Sequence, residues 1–200
     1  LRRNLLWPLL AAAIAVPLAV AATSPLLEWR DPVYIAAGLA GVLALAILLI
    51  QPLLAAGYLP GLPRPRGRRL HRWIGAALIL CVVVHVGGLW LTSPPDVIDA
   101  LLFASPTPFS VWGVVAMWAL FAAALMAALR RPLRMRPGIW RLGHTALVSL
   151  TVICTALHAM LIEGTMGTAS KAALCALAIA ATAKAVIDLR SYAVLKRRDR

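Results

Sequence analysis

Cysteine is scarce in this 200-residue chain, with three in all, and no Cys-x-x-Cys-His occurs, which excludes a covalently attached c-type haem. Cys81, Cys154 and Cys175 fall inside apolar runs, where they act as small apolar residues and say nothing about an oxidising compartment. No Gly-x-Gly-x-x-Gly follows a strand pattern, so the sequence brings no nucleotide-binding domain of its own. Apolar–polar alternation of period two is also missing, which removes a membrane β-barrel.

What the chain has instead is apolar length. It is 62% hydrophobic with a mean hydropathy of +0.87, values that a water-soluble domain of this size would reach only by exposing large apolar patches. Six runs are long enough to cross a hydrocarbon core of about 30 Å. They are Leu5–Ala22, Pro32–Ala56, Arg72–Leu91, Phe109–Leu129, Leu142–Ile162 and Lys171–Leu189. Backbone in lipid must satisfy its own hydrogen bonds, so the expected fold is all-α: an integral membrane six-helix bundle in one domain over residues 1–200, with the lipid bilayer as solvent. Arg2 and Arg3 before an apolar run ending in Ala21 and Ala22 resemble a cleaved signal peptide. The run is long for one, and the charge pattern needs an even number of spans, so it is read as a helix.

A net charge of +13 would suggest nucleic acid in a soluble protein, but here its distribution decides. All but Arg30, Lys171 and Lys184 of the 20 basic residues lie before the first run, between the second and third, between the fourth and fifth, or after the sixth. The positive-inside rule then puts both termini in the cytoplasm and the Asp96/Asp99 loop outside, with no nucleic-acid partner needed.

The four histidines of the chain form an internal repeat: His71-x9-Cys81-x3-His85 in the third run and His144-x9-Cys154-x3-His158 at the fifth, each preceded by Arg-Leu. His71 and His85, like His144 and His158, are 14 residues apart. Four helical turns take about 14.4 residues, so each helix shows two imidazoles on one face, about 21 Å apart along its axis. The third and fifth helices run in the same direction, which sets His71 level with His144 and His85 level with His158. Ligands so far apart along a helix do not converge on one ion, whereas two facing imidazoles suit the two axial positions of a haem iron. The expected cofactors are two b-type haems, with all four histidines as axial iron ligands.

Other residues carry weaker signals. Arg69, Arg72 and Arg141 lie near the first pair and are candidates to neutralise haem propionates, although positive-inside arginines would look the same. Gly75, Gly87, Gly88 and Gly143 suit close approach of backbone to a macrocycle or plain helix packing. Trp73, Trp90 and Trp140 read as interfacial aromatics, and Lys184 with Asp188 as a helix ion pair.

With six helices and His-x13-His in the third and fifth, the sequence resembles the ferric reductase-like transmembrane domain, the haem-carrying part of NADPH oxidases and ferric-chelate reductases. The resemblance covers essentially the whole chain. It implies two stacked haems, His71 with His144 on the cytoplasmic side and His85 with His158 on the outer side. It also implies electron flow from a cytosolic flavin to an acceptor outside. The chain departs from the oxidases in having no flavin and NADPH domain in this sequence, so a separate flavin reductase, with FMN or FAD, or a quinol is the expected donor. Stand-alone bacterial members include the haem subunit that feeds a periplasmic methionine sulfoxide reductase. The chain is similar to them in length and differs in having His71, which they typically lack.

The function expected is that of a haem-dependent oxidoreductase, or its electron-transfer subunit, in a bacterial inner membrane, delivering electrons to ferric iron or a periplasmic partner. An electron leaving a negative cytoplasm gains about 2.3 kcal/mol per 100 mV, which favours the outward direction. Two alternatives are a quinol-oxidising di-haem cytochrome b of another family and a cofactor-free transporter or scaffold. Ligation by other helix pairs would favour the first, and colourless protein the second.

Overall fold

The structure, a computed structural model, describes residues 2–198, and their side chains over residues 5–189. Among the described residues it is entirely helical, without strands. The helices are α1 (Arg2–Ala22), α2 (Pro32–Ala56), α3 (Arg64–Thr92), α4 (Pro94–Leu101), α5 (Ser110–Leu129), α6 (Pro137–Leu161) and α7 (Thr168–Arg198). All except α4 are long and apolar enough to cross a membrane, which gives the six spans expected. The basic residues Arg2, Arg3, Arg190, Lys196, Arg197, Arg198 and Arg200, part of the charge pattern that orients the chain, lie outside the described side chains.

Local chemistry explains the helix ends. Asp31 caps α2, its carboxylate accepting from Val33 N at 2.7 Å and Tyr34 N at 3.3 Å, and Pro32 fills the first helical position where no N–H is needed. Gly57 stops the helix in the left-handed conformation at φ 74°, which a residue with a Cβ adopts only with strain. Four helices start earlier than hydropathy suggested: α1 at Arg2 rather than Leu5, α3 at Arg64 rather than Arg72, α6 at Pro137 rather than Leu142, and α7 at Thr168 rather than Lys171. Hydropathy marks where lipid begins, whereas arginine propagates a helix well and proline starts one readily. Arg64, Arg66, Arg68 and Arg69 therefore ride on helical turns of α3 instead of a loop, and Arg141 rides on α6. The short α4, which begins with Pro94-Pro95 and holds Asp96 and Asp99, was read as loop because it is too brief for a period to register.

α2 is the central helix. It packs on α1, α3 and α7, while α6 packs on α5 and α7, and α4 links α3 to α5. The core gathers Ala46, Leu48 and Leu49 of α2, Leu78 of α3, Val152 and Ala156 of α6, and Leu174 and Ala178 of α7. Large side chains such as Leu91 (75% exposed) and Ile187 (63%) point outward, as lipid-facing positions do and a water-facing bundle would not tolerate in such number. α1 belongs to this bundle: Ala21 is fully buried in the core and Trp7 Nε1 donates to the Pro60 carbonyl at 3.3 Å.

Lipid-embedded helices gain little from hydrophobicity against one another, so close packing of small residues decides which pairs form. On α3, Gly67, Gly75 and Gly88 all face α2. A Cβ at Gly88 would lie 2.7 Å from the Ala37 Cβ, and one at Gly67 would lie 3.0 Å from the Leu54 carbonyl oxygen. Gly143 on α6 is pressed in the same way by Met126 of α5. The result is two helical hairpins, α2–α3 and α5–α6.

Candidate cofactor site

The four histidines face inward from the second helix of each hairpin, and each is held by the first. His71 Nδ1 bonds to the Gln51 carbonyl at 3.2 Å and His85 Nδ1 to the Ala37 carbonyl at 2.8 Å, both on α2. In the second hairpin His144 Nδ1 bonds to the Ala123 carbonyl at 3.3 Å and His158 Nδ1 to the Phe109 carbonyl at 2.9 Å. A carbonyl only accepts, so these bonds at His85, His144 and His158 put the proton on Nδ1 and keep the Nε2 lone pair free. This is the arrangement that orients a metal-binding imidazole: one nitrogen tied to an acceptor, the other offered to the metal. At His71 the Gln51 carboxamide also lies 2.5 Å from Nδ1, with its nitrogen as the end that satisfies the contacts.

The carbonyl acceptors repeat as faithfully as the histidines. Ala37 and Gln51 are 14 residues apart, and so are Phe109 and Ala123. Glycine repeats with them. Gly41 stands four residues after Ala37, and Gly113 four residues after Phe109. A Cβ at Gly41 would come within 2.9 Å of His85 Nδ1, and one at Gly113 within 2.7 Å of His158 Nδ1. These glycines make the space in which an imidazole lies flat enough against the neighbouring helix to reach a carbonyl one turn back. The Phe109 carbonyl serves two donors, the helical N–H of Gly113 at 3.2 Å and the His158 ring.

His85 and His158 face each other with ring centroids 6.4 Å apart and planes at 78°. Two metal–nitrogen bonds of about 2 Å, with about 1.2 Å from each nitrogen to its ring centre, would put the centroids of two facing imidazoles about 6.4 Å apart. The separation therefore fits one iron between the rings. His71 and His144 also lie within electrostatic reach of each other. The imidazoles come in twos: among the described residues no group of three or more His, Cys, Asp or Glu side chains gathers as a metal cluster would. α3 and α6 are not pressed together; α3 packs chiefly on α2, and α6 on α5 and α7.

The remaining candidates divide. Arg69 and Arg72 are exposed on α3, and Arg141 is exposed on α6 with its Nε donating to the Pro137 carbonyl at 3.4 Å. Of the glycines, Gly75, Gly88 and Gly143 serve helix packing, and only Gly87 has open space within 4 Å. Trp140 is more than an interfacial aromatic. Its ring stacks on His144 at 5.3 Å and 10°, and the Arg130 guanidinium lies over the same indole at 4.1 Å. Lys184 and Asp188 form the expected ion pair at 2.7 Å, and Tyr58 joins them by donating its hydroxyl hydrogen to Asp188. Burial and that carboxylate push the Tyr58 phenol up to about 12.

Sequence reasoning missed Gly41, Gly113 and Gln51. The first two carry a signal, since Gly41 and Gly113 stand 72 residues apart while the paired histidines stand 73 apart, so the repeat extends into the preceding helices.

Together the six spans, the twin hairpins and the facing imidazoles define a helical multi-pass membrane protein with paired histidine sites inside the bundle. Residues 37–155, more than half of the chain, match the family described as ferric reductase like transmembrane component. The chain belongs to that family. The matched region holds His71, His85 and His144 and stops three residues short of His158. Neither the curated proteins nor the solved structures include a match.

Proposed function

We propose that this chain conducts electrons across the membrane through two b-type haems, one between His71 and His144 and one between His85 and His158. The 6.4 Å facing of His85 and His158, each ring turned by a carbonyl so that Nε2 is free, is the observation that carries this reading. When bound, each haem supplies a six-coordinate iron that takes up and releases single electrons without opening a site for oxygen. The protein's part is geometric. α2 and Phe109–α5 fix the four rings through their carbonyls, Gly41 and Gly113 set the depth of two rings, and the apolar walls exclude water. Arg69, Arg72 and Arg141 stand at the end where propionates of the first haem would emerge.

Family membership supports an electron-transfer role. The arginine-rich ends of α3 and α6 support a cytoplasmic position for His71 and His144, with both termini on that side of a bacterial inner membrane. Electrons then enter there from a separate flavin reductase or quinol and leave at His85 and His158 to a periplasmic protein or ferric iron.

The test is haem stoichiometry and reduced-minus-oxidised spectra of the purified full chain, together with His85→Ala and His144→Ala variants. The expected result is about two haems in the wild type and loss of one distinct centre in each variant. Colourless wild type, or unaltered spectra in both variants, would remove the proposal.

A further inference from the structure

The two hairpins are nearly equivalent, so the place where they differ is informative. Gln51 and Ala123 occupy matching positions, each with its main-chain oxygen near the Nδ1 of a histidine of the same level, at 3.2 Å for His71 and 3.3 Å for His144. Beyond that oxygen Ala123 has only a methyl group, whereas Gln51 carries a carboxamide, buried to 6% exposure in an apolar helix. An amide in such a place is costly unless it is bonded.

The Gln51 carboxamide has one orientation that satisfies its contacts. Its nitrogen then donates to His71 Nδ1 at 2.5 Å and to the His71 carbonyl oxygen at 3.2 Å, and its oxygen accepts from Gly75 N at 2.8 Å. Turned over, the amide would set its oxygen against a carbonyl oxygen and its hydrogens against an N–H. A ring nitrogen that receives a hydrogen bond must hold a lone pair, so His71 carries its proton on Nε2. At His85, His144 and His158 a carbonyl meets Nδ1 with no such competitor among the described residues, and the proton lies on Nδ1. Those three rings offer Nε2 to a metal as they stand. His71 does not.

Resting on the haem-ligand reading above, we propose that Gln51 is a positioning residue that holds His71 in the tautomer unready for a metal, and so makes the His71/His144 centre the second to fill and the first to empty. Ligation through Nε2 requires one proton to leave that nitrogen and one to arrive at Nδ1, with no change in the charge of the ring. At Nδ1 the new proton meets the amide hydrogens, and the carboxamide has to give up its buried contacts. The Gln51 main-chain oxygen stands where it can accept from the ring once the proton has moved. The His85/His158 pair meets no such cost, because both of its rings are already set by carbonyls.

The experiment reads the tautomers and the haem affinities separately. Nitrogen-15 spectra of the haem-free full chain in detergent should show one Nε2–H imidazole and three Nδ1–H imidazoles, the odd ring turning to Nδ1–H in Gln51→Leu. Titration of the same chain with haemin should give two steps, the weaker one missing from His144→Ala. In Gln51→Leu that weaker step should tighten by about tenfold while the stronger one stays unchanged. Gln51→Met, unbranched like glutamine, should act as leucine does and serves where leucine disturbs the packing. Four rings alike in the wild type would overturn the proposal. So would a weaker step that is unchanged or further weakened in both variants, which would make Gln51 a structural prop. Wild-type protein with the one-and-three pattern but no haem uptake would instead remove the ligand assignment, and the order of loading with it, while leaving the tautomer at His71 in place.

Discussion

Gly113 lies against the imidazole of His158 so closely that an added methyl group would come within 2.7 Å of its Nδ1 and Cε1. A ring held by one carbonyl and pressed by one helix has a single pose, and the absence of a side chain at residue 113 permits it. Gly113→Ala should push His158 away from the Phe109 carbonyl and out of line with His85. Loss of an orienting bond at a metal-bound histidine costs about 10- to 100-fold in affinity. We expect haem content to fall from about two to about one per chain, with Gly41→Ala acting on the same centre through His85. Pyridine haemochrome assay would check it; full content in both variants would contradict the assigned role of these glycines.

The Trp140 ring parallel to His144 should matter to the other centre only. Stacking of this kind is worth about 0.5–1.5 kcal/mol beyond area burial. Trp140→Leu is expected to release haem from the His71/His144 centre at lower temperature, while Trp140→Phe keeps most of the stability. Thermal bleaching followed at the Soret band separates them, and equal behaviour of the two variants would show that the stack has no such effect.

Tyr58 ties the α2–α3 connection to α7 through Asp188. Its phenol, pushed up to about 12, keeps its proton where an unfolded tyrosine near 10 has lost it. The stability it contributes is thus complete below about pH 10 and disappears as pH rises toward about 12. Tyr58→Phe should remove the latest step from a tyrosinate absorbance titration. It should also cost about 1 kcal/mol at neutral pH, read as a lower melting temperature in detergent.

Asp31 offers a control that touches none of the histidines. Replacing it with Ala removes the acceptor for Val33 N and Tyr34 N, a loss of about 1 kcal/mol. The melting temperature should drop and both haem spectra should stay as they are. A changed spectrum would mean that the start of α2 and the site move together.

Much of this architecture is legible in the sequence, and the reason is locality. Hydropathy along the chain locates spans, and a spacing of 14 residues fixes which side chains share a helix face, so the spans and the four histidines needed no tertiary knowledge. Helix starts were misread where lipid and helix part company, as at Arg64 on α3. The carbonyl partners were hidden because a backbone oxygen has no sequence signature; Ala37 and Ala123 look like any alanine until the neighbouring helix is in place. Gln51 was visible as an amide in an apolar run, and its meaning came only from lying beside His71. Trp140 stands four residues before His144, one helical turn, a spacing that sets both rings on one face, yet the sequence reading marks Trp140 only as an interfacial aromatic.

In the proposed ligation each hairpin supplies half of every coordination sphere. Neither α2–α3 nor α5–α6 can close around an iron alone, since each supplies a single imidazole per level. The halves are joined by α4 and by α7, which touches both α2 and α6. A prosthetic group seated between them would be a third fastener, acting from inside. Loading of such a group would then help to assemble the bundle, and the loaded chain is expected to melt at a higher temperature than the unloaded one.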